Sequence, residues 1–159
     1  MSATVTAVIW VAILVGAAIS DLRAFRIPNI FAVGLLLLFP VHYAFAGFSP
    51  ALWPHLFHFV LALAVGMALF ARGWVGGGDA KLYAAAALWF DWSGAAALVF
   101  LTTISGLFLA IIFVLARKAG FRKNVAKQDA RIPYGVAIAG GAILAAQWVG
   151  WANIFPAFS

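Results

Sequence analysis

Residues 27 to 71 of this chain carry no charged side chain, and neither do residues 1 to 20 or 132 to 159. Between Lys81 and Arg117 the one charge is Asp91. A helix needs about 20 apolar residues to cross the hydrocarbon core of a bilayer. Inside that core every backbone N–H and C=O must find its partner within the segment, which favours helices. A soluble domain of 159 residues could not hide the apolar surface of a chain that is 67% hydrophobic. The predicted class is therefore all-α: a polytopic membrane helix bundle, one domain over residues 1–159.

Six spans fit the charge-free stretches, near 2–20, 29–47, 54–72, 79–91, 95–117 and 133–151. Phe48-Ser49-Pro50 and Trp53-Pro54-His55 supply turn and interface residues between the second and third. Asp91-Trp92-Ser93-Gly94 reads as a tight turn between the fourth and fifth. With six spans the connections alternate sides. All ten basic residues then fall on one side: Arg23, Arg26, Arg72, Lys81, Arg117, Lys118, Arg122, Lys123, Lys127 and Arg131. The positive-inside rule makes that side the cytosol and puts both termini outside. The first segment lacks a basic n-region, so a retained helix is expected rather than a signal peptide. The basic run after the fifth span reads as a topology anchor that can also contact anionic lipid.

The chain has no cysteine, which excludes disulfides and thiolate metal sites. His42, His55 and His58 fall on the outer side. His55-x-x-His58 lacks a nearby carboxylate or thiolate, so interfacial histidines are expected there, not a metal site.

The acidic residues are Asp21, Asp79, Asp91 and Asp129, with no glutamate. An aspartate at the membrane centre costs about 2.5 to 3.5 kcal/mol. Asp79 follows Gly76-Gly77-Gly78 and opens a short fourth span of about 18 Å. A helix N-cap would account for the aspartate. It does not account for three glycines, which permit positive φ and close approach of another backbone, as a site for an extended peptide requires. Asp21 ends the first span, a poor place for an anion because the helix dipole is negative there. Both aspartates lie at cytosolic ends, so helix packing can bring them together. Two carboxylates sharing one proton can activate a water and donate to a scissile carbonyl. Asp91 and Asp129 fit turn and charge-balance roles. "RIPN" (26–29) and "RIPY" (131–134) each open a span, with Pro28 and Pro133 suited to a first helical turn.

"SDLRAFRIPN" and "GGGDAKL" resemble the two aspartate motifs of the type IV prepilin peptidases. Gly76 to Asp79 matches their G-x-G-D signature, and "IPYGVAIAGG" is similar to the Pro-Tyr-Gly segment that opens the family's last helix. The resemblance implies an inner-membrane aspartyl endopeptidase that removes the short basic leader of prepilins or pseudopilins at the cytosolic face. Asp21 and Asp79 would be its catalytic pair. Gly76, Gly77, Gly78, Lys81, Arg23, Pro28, Asn29, Pro133, Tyr134 and Gly135 would be supporting positions. The longer members carry a cytosolic region with cysteine pairs and also methylate the new N-terminus. This chain has no cysteine and no such region, so it resembles the short form of Flp, tight-adherence pili, with no methylation expected. No cofactor, metal or nucleic acid is implied; the partners are the pilin substrate, the lipid bilayer and the pilus assembly machinery.

Three rival readings remain at this point. A small transporter or proton conductor would use intramembrane carboxylates with further polar residues, here chiefly Thr102, Thr103, Ser105 and Gln147. A catalytically silent pilus-assembly scaffold is disfavoured only by the aspartate pair. A presenilin-type signal-peptide peptidase fits poorly with the small size and the Pro-Tyr-Gly segment.

Overall fold

A computed structural model describes residues 2–46, 52–119 and 132–155. Among them the chain is entirely helical: α1 (Ala3–Ala24), α2 (Asn29–Ala46), α3 (Leu52–Ala71), α4 (Gly77–Ala87), α5 (Trp92–Lys118), α6 (Tyr134–Val149) and α7 (Trp151–Ile154). Each of the six predicted segments coincides with a helix. Three are long and apolar enough to cross a membrane: Ala3–Ala24, Leu52–Ala71 and Trp92–Ala116. The apolar stretches of α2 and α6 are shorter. Asp129 and Phe48-Ser49-Pro50 lie outside the described residues.

Several boundaries differ from the sequence reading. α1 runs through Asp21 to Ala24, so this aspartate sits in the last turn rather than beyond it. α3 begins at Leu52, which places Trp53, Pro54 and His55 inside a helix. Proline is tolerated there because a first-turn N–H has no intrahelical acceptor. α5 begins at Trp92, so Asp91 to Gly94 is not a tight turn. Asp91 accepts hydrogen bonds from the Gly94 backbone N–H (3.0 Å) and the Ser93 hydroxyl (2.6 Å), as a helix N-cap does.

α4 packs against α2, α3 and α6. It is short and built largely of alanine, with Ala80, Leu82 and Ala84 to Ala87 all buried. Small side chains let neighbouring backbones come close. A Cβ on Gly66 of α3 would stand 3.0 Å from that of Ala80. α5 and α6 meet through the same device. A Cβ on Gly141 would collide with the Thr102 backbone, while Gly106 faces Ala137.

The chain following α4 is held by two side chains of α3 and by a backbone carbonyl of α2. His55 Nδ1 bonds to the Leu88 carbonyl (3.1 Å) and His58 Nδ1 to the Phe90 carbonyl (2.9 Å). Trp89 donates its indole N–H to the Leu35 carbonyl (3.3 Å). His42 pairs with the Thr6 hydroxyl (3.1 Å). All three histidines are buried, so they are not interfacial residues as the sequence suggested. Their polarity is used inside the bundle: His55 and His58 serve carbonyls that a helix end leaves unpaired, and His42 serves the Thr6 hydroxyl. Around them Trp10, Trp89, Trp151 and Phe155 form an aromatic cluster with ring centroids 5.3 to 6.3 Å apart. The unpredicted α7 and the residue that caps it, Phe155, supply two of these rings.

The α5–α6 contact makes a paired prediction. Gly141→Val should destabilise the fold by about 1–3 kcal/mol or more, because the added bulk meets backbone that cannot yield. Gly140→Val should have little effect, since the nearest atom there is the Ser105 hydroxyl at 3.9 Å. Thermal unfolding of both variants in detergent checks this; equal midpoints would contradict it.

Candidate active site

Asp21 is buried, with 6% of its surface exposed. α1 ends three residues later at Ala24, and the next residue, Phe25, turns the chain in a left-handed conformation (φ 49°) while its N–H bonds to the Asp21 carbonyl (2.8 Å). Ser20 donates its hydroxyl to the Arg26 carbonyl (3.1 Å), folding the link back against α1. Pro28 then precedes α2, and its carbonyl accepts from the Phe31 N–H (3.2 Å).

The Asp21 carboxylate reaches across to α6. Its Oδ2 accepts the Gly135 backbone N–H at 2.7 Å. Pro133 is the N-cap of α6, so Gly135 lies in the first turn, where amide hydrogens have no intrahelical acceptor and the helix dipole attracts an anion. An anion disfavoured by its own helix end is thus held by the start of another. Residue 135 has to be glycine. A Cβ there would meet Ile27 Cδ1 at 2.8 Å and the Asp21 side chain at 3.0 Å.

Asp79 stands in the first turn of α4, three residues after the N-cap, Gly76. The helix starts two residues earlier than the sequence suggested, so Asp79 is not itself the N-cap. Its carboxylate folds back toward the Gly76 backbone N–H. That is the geometry of the acidic partner in a capping box. The Asp79 carboxylate lies within reach of the charge on Asp21.

None of the three glycines before Asp79 has a positive φ, contrary to expectation; among the described residues the left-handed glycines are Gly73 and Gly150. What they provide is space. A Cβ on Gly76 would stand 2.5 Å from Asp79 Oδ2. One on Gly77 would press on the Phe70 ring at 3.2 Å, and one on Gly78 would meet both Cβ and the carbonyl oxygen of Ile27 at 3.1 Å. Phe70 and Ile27 fill the room beside Gly77 and Gly78, which leaves exposed Gly76 as the member of the run facing outward.

Ile27 is the residue that sequence reasoning missed. It lies against both Gly78 and Gly135 and so wedges between the two aspartate-bearing turns. The available signal was a second apolar residue, after Phe25, in a four-residue connection between two helices. Lys81 donates to the Asn29 side chain (3.4 Å), joining α4 to the start of α2. Pro133 is buried beside the site. Tyr134 is half-exposed, its ring by Gly106 of α5, and Arg23 is exposed on the last turn of α1. Neither of these two is drawn into contact with a carboxylate. No group of three potential metal ligands occurs among the described residues.

Two acids on different helices, half sequestered at one end of an apolar bundle, suit proton transfer to and from a bound peptide. No curated relative and no solved structure matches the chain. A family model described as the type IV leader peptidase family matches residues 7–111, more than half of the sequence. The matched stretch contains both aspartates and ends before α6. On this match the chain belongs to the type IV leader peptidase family.

Proposed function

We propose that this protein is a membrane-embedded aspartyl endopeptidase that cuts the basic leader from prepilins or pseudopilins, with Asp21 and Asp79 as its catalytic pair. The observation that carries the reading is the meeting of the two aspartate-bearing turns at one end of the bundle, where Ile27 lies against both Gly78 and the Gly135 that holds Asp21, although Asp21 and Asp79 are 58 positions apart in sequence. One carboxylate takes a proton from water as the water oxygen bonds to the scissile carbonyl carbon. The other, protonated, gives its proton to the carbonyl oxygen. As the tetrahedral intermediate collapses, one of its hydroxyls returns a proton to the second carboxylate, the C–N bond breaks, and the amine leaves with the proton taken from water. The Gly135 amide orients Asp21, and the Gly76 amide orients Asp79.

We further propose six spans with both termini outside and the site at the cytosolic face of the inner membrane. Support comes from the basic residues: Arg23, Arg26, Arg72, Lys81 and Lys118 all flank helix ends on the side of the aspartates, and residues 88 to 91 at the far side have none. The absence of any cysteine-bearing region in the sequence supports a Flp-type short form without methyltransferase activity. Leader recognition then rests on the apolar pilin helix and on backbone contacts near exposed Gly76. Docking to the pilus assembly machinery belongs to the same reading.

The direct test is incubation of the purified protein with a panel of prepilin peptides and mass spectrometry of the products. Asp21→Ala and Asp79→Ala should each lower cleavage by about a hundredfold or more, since general acid–base groups contribute on that order. Asp91→Ala, which removes only a helix cap, should retain most activity per folded molecule. Robust cleavage by either of the first two variants would sink the assignment.

Gly76→Val and Gly78→Val should cripple cleavage. The first displaces the Asp79 carboxylate, and the second pushes α4 away from Ile27. A displacement of about 1 Å can cost about a hundredfold in rate. Gly94→Val meets Phe90 at 2.9 Å, at the opposite end of α4. It should lower the unfolding temperature while leaving the rate per folded molecule near wild type. Wild-type rates for the first two variants would mean that the glycines serve only as a connector.

Chelation offers an independent check. EDTA should leave cleavage unchanged, because a two-carboxylate mechanism requires no metal. Activity abolished by EDTA and restored by zinc would overturn the mechanism.

A further inference from the structure

The end of α3 is built rigidly, yet it presents its largest side chain to the outside. Gly73 is left-handed (φ 73°), its N–H bonds to the Phe70 carbonyl (2.9 Å), and the Trp74 N–H bonds to the Leu69 carbonyl (3.0 Å). This pair of bonds is a Schellman motif. In that motif the residue after the glycine commonly packs back on its own helix. Here Trp74 is 72% exposed, and the Arg72 guanidinium lies 5.9 Å from its ring centroid. One residue, Val75, separates Trp74 from Gly76, the N-cap that precedes Asp79.

The charge around this corner has one sign. Arg23, Arg26, Arg72, Lys81 and Lys118 are exposed. The described carboxylates at this end are Asp21, which is buried, and Asp79, which is half-buried. An indole favours the headgroup level of a bilayer, and a guanidinium pairs with phosphate through two parallel hydrogen bonds.

We propose that Arg72 and Trp74 form an anchor that docks this corner onto anionic phospholipid headgroups and thereby sets the depth of Asp79 in the bilayer. The Schellman motif transmits the contact, since Trp74 cannot change depth without moving the turn that starts α4. A pilin helix spanning the same bilayer would have its scissile bond at a depth fixed by its own apolar length. Matching the two depths is what the anchor contributes. Only the activity arm of the test rests on the peptidase reading.

The full chain is reconstituted in nanodiscs of phosphatidylcholine, with or without phosphatidylglycerol, and compared with detergent micelles. Quenching by phospholipid brominated near the headgroup is measured for wild type and Trp74→Phe; the difference isolates Trp74. Cleavage of a prepilin peptide is followed for wild type, Arg72→Gln and Trp74→Ala. The expected result is Trp74 quenching that strengthens with phosphatidylglycerol. In those anionic discs Arg72→Gln should lose about fivefold in cleavage, the effect of one basic residue at an anionic surface. Trp74→Ala should also lose activity there, and both variants should match wild type in detergent. Absence of Trp74 quenching in anionic discs overturns the proposal, as does an equal loss in detergent, which would place these residues in the protein's own packing or in contact with an acidic partner segment. Quenching without any change in cleavage overturns the depth-setting role. If wild type cleaves no peptide, the peptidase reading fails, and the quenching difference still decides whether the corner binds lipid.

Discussion

An eleven-residue helix is about 16 Å long and cannot cross a hydrocarbon core of about 30 Å. The fold depends on how the chain deals with this shortfall in α4. Beyond Ala87 the backbone leaves the helix while still enclosed by protein, and its carbonyls need donors that water cannot supply. His55 and His58, one turn apart on α3, provide two of them. The Trp89 indole, turned outward from the same segment, bonds to a carbonyl of α2. The shortness of α4 also keeps its first turn, and Asp79 with it, among the other helices.

The site uses the same economy of unpaired backbone groups at the opposite end. The first amides of α4 and α6 have no acceptors within their helices. Asp79 turns back toward Gly76, and Asp21 reaches from α1 to Gly135. Each carboxylate thus meets a need that a helix start creates. Glycine at 76, 78 and 135 is a consequence, because a side chain there would occupy the space of a carboxylate or of the Ile27 residue between them.

Much of this was legible in the sequence because charge is so scarce in it. Charge-free runs locate the helices to within a few residues, and two aspartates in an apolar chain stand out at once. The errors share a cause. Gly77 and Gly78 were taken for loop because glycine is a poor helix former, but interhelical contact with Phe70 and Ile27 outweighs that preference. The histidines were assigned to an interface because polarity suggests water, whereas here it serves buried carbonyls. α7 is a single turn with no periodicity to find. Ile27 acts by lying between Gly78 and Gly135, both more than fifty positions further along the chain, which no local pattern encodes. The Gly135 contact, 114 positions from Asp21, is of the same kind.

That separation gives the bond between Asp21 and Gly135 a meaning in time as well as in space. A chain emerging from the ribosome inserts α1 first and α6 near the end. Once α4 is in the bilayer both acids are present, but the amide that orients Asp21 has yet to be made. The wedge of Ile27 is likewise closed on one side only. The surroundings of Asp21 are thus completed only with the final long helix, and a chain that stops short of α6 has both aspartates without the backbone contact that holds the first of them.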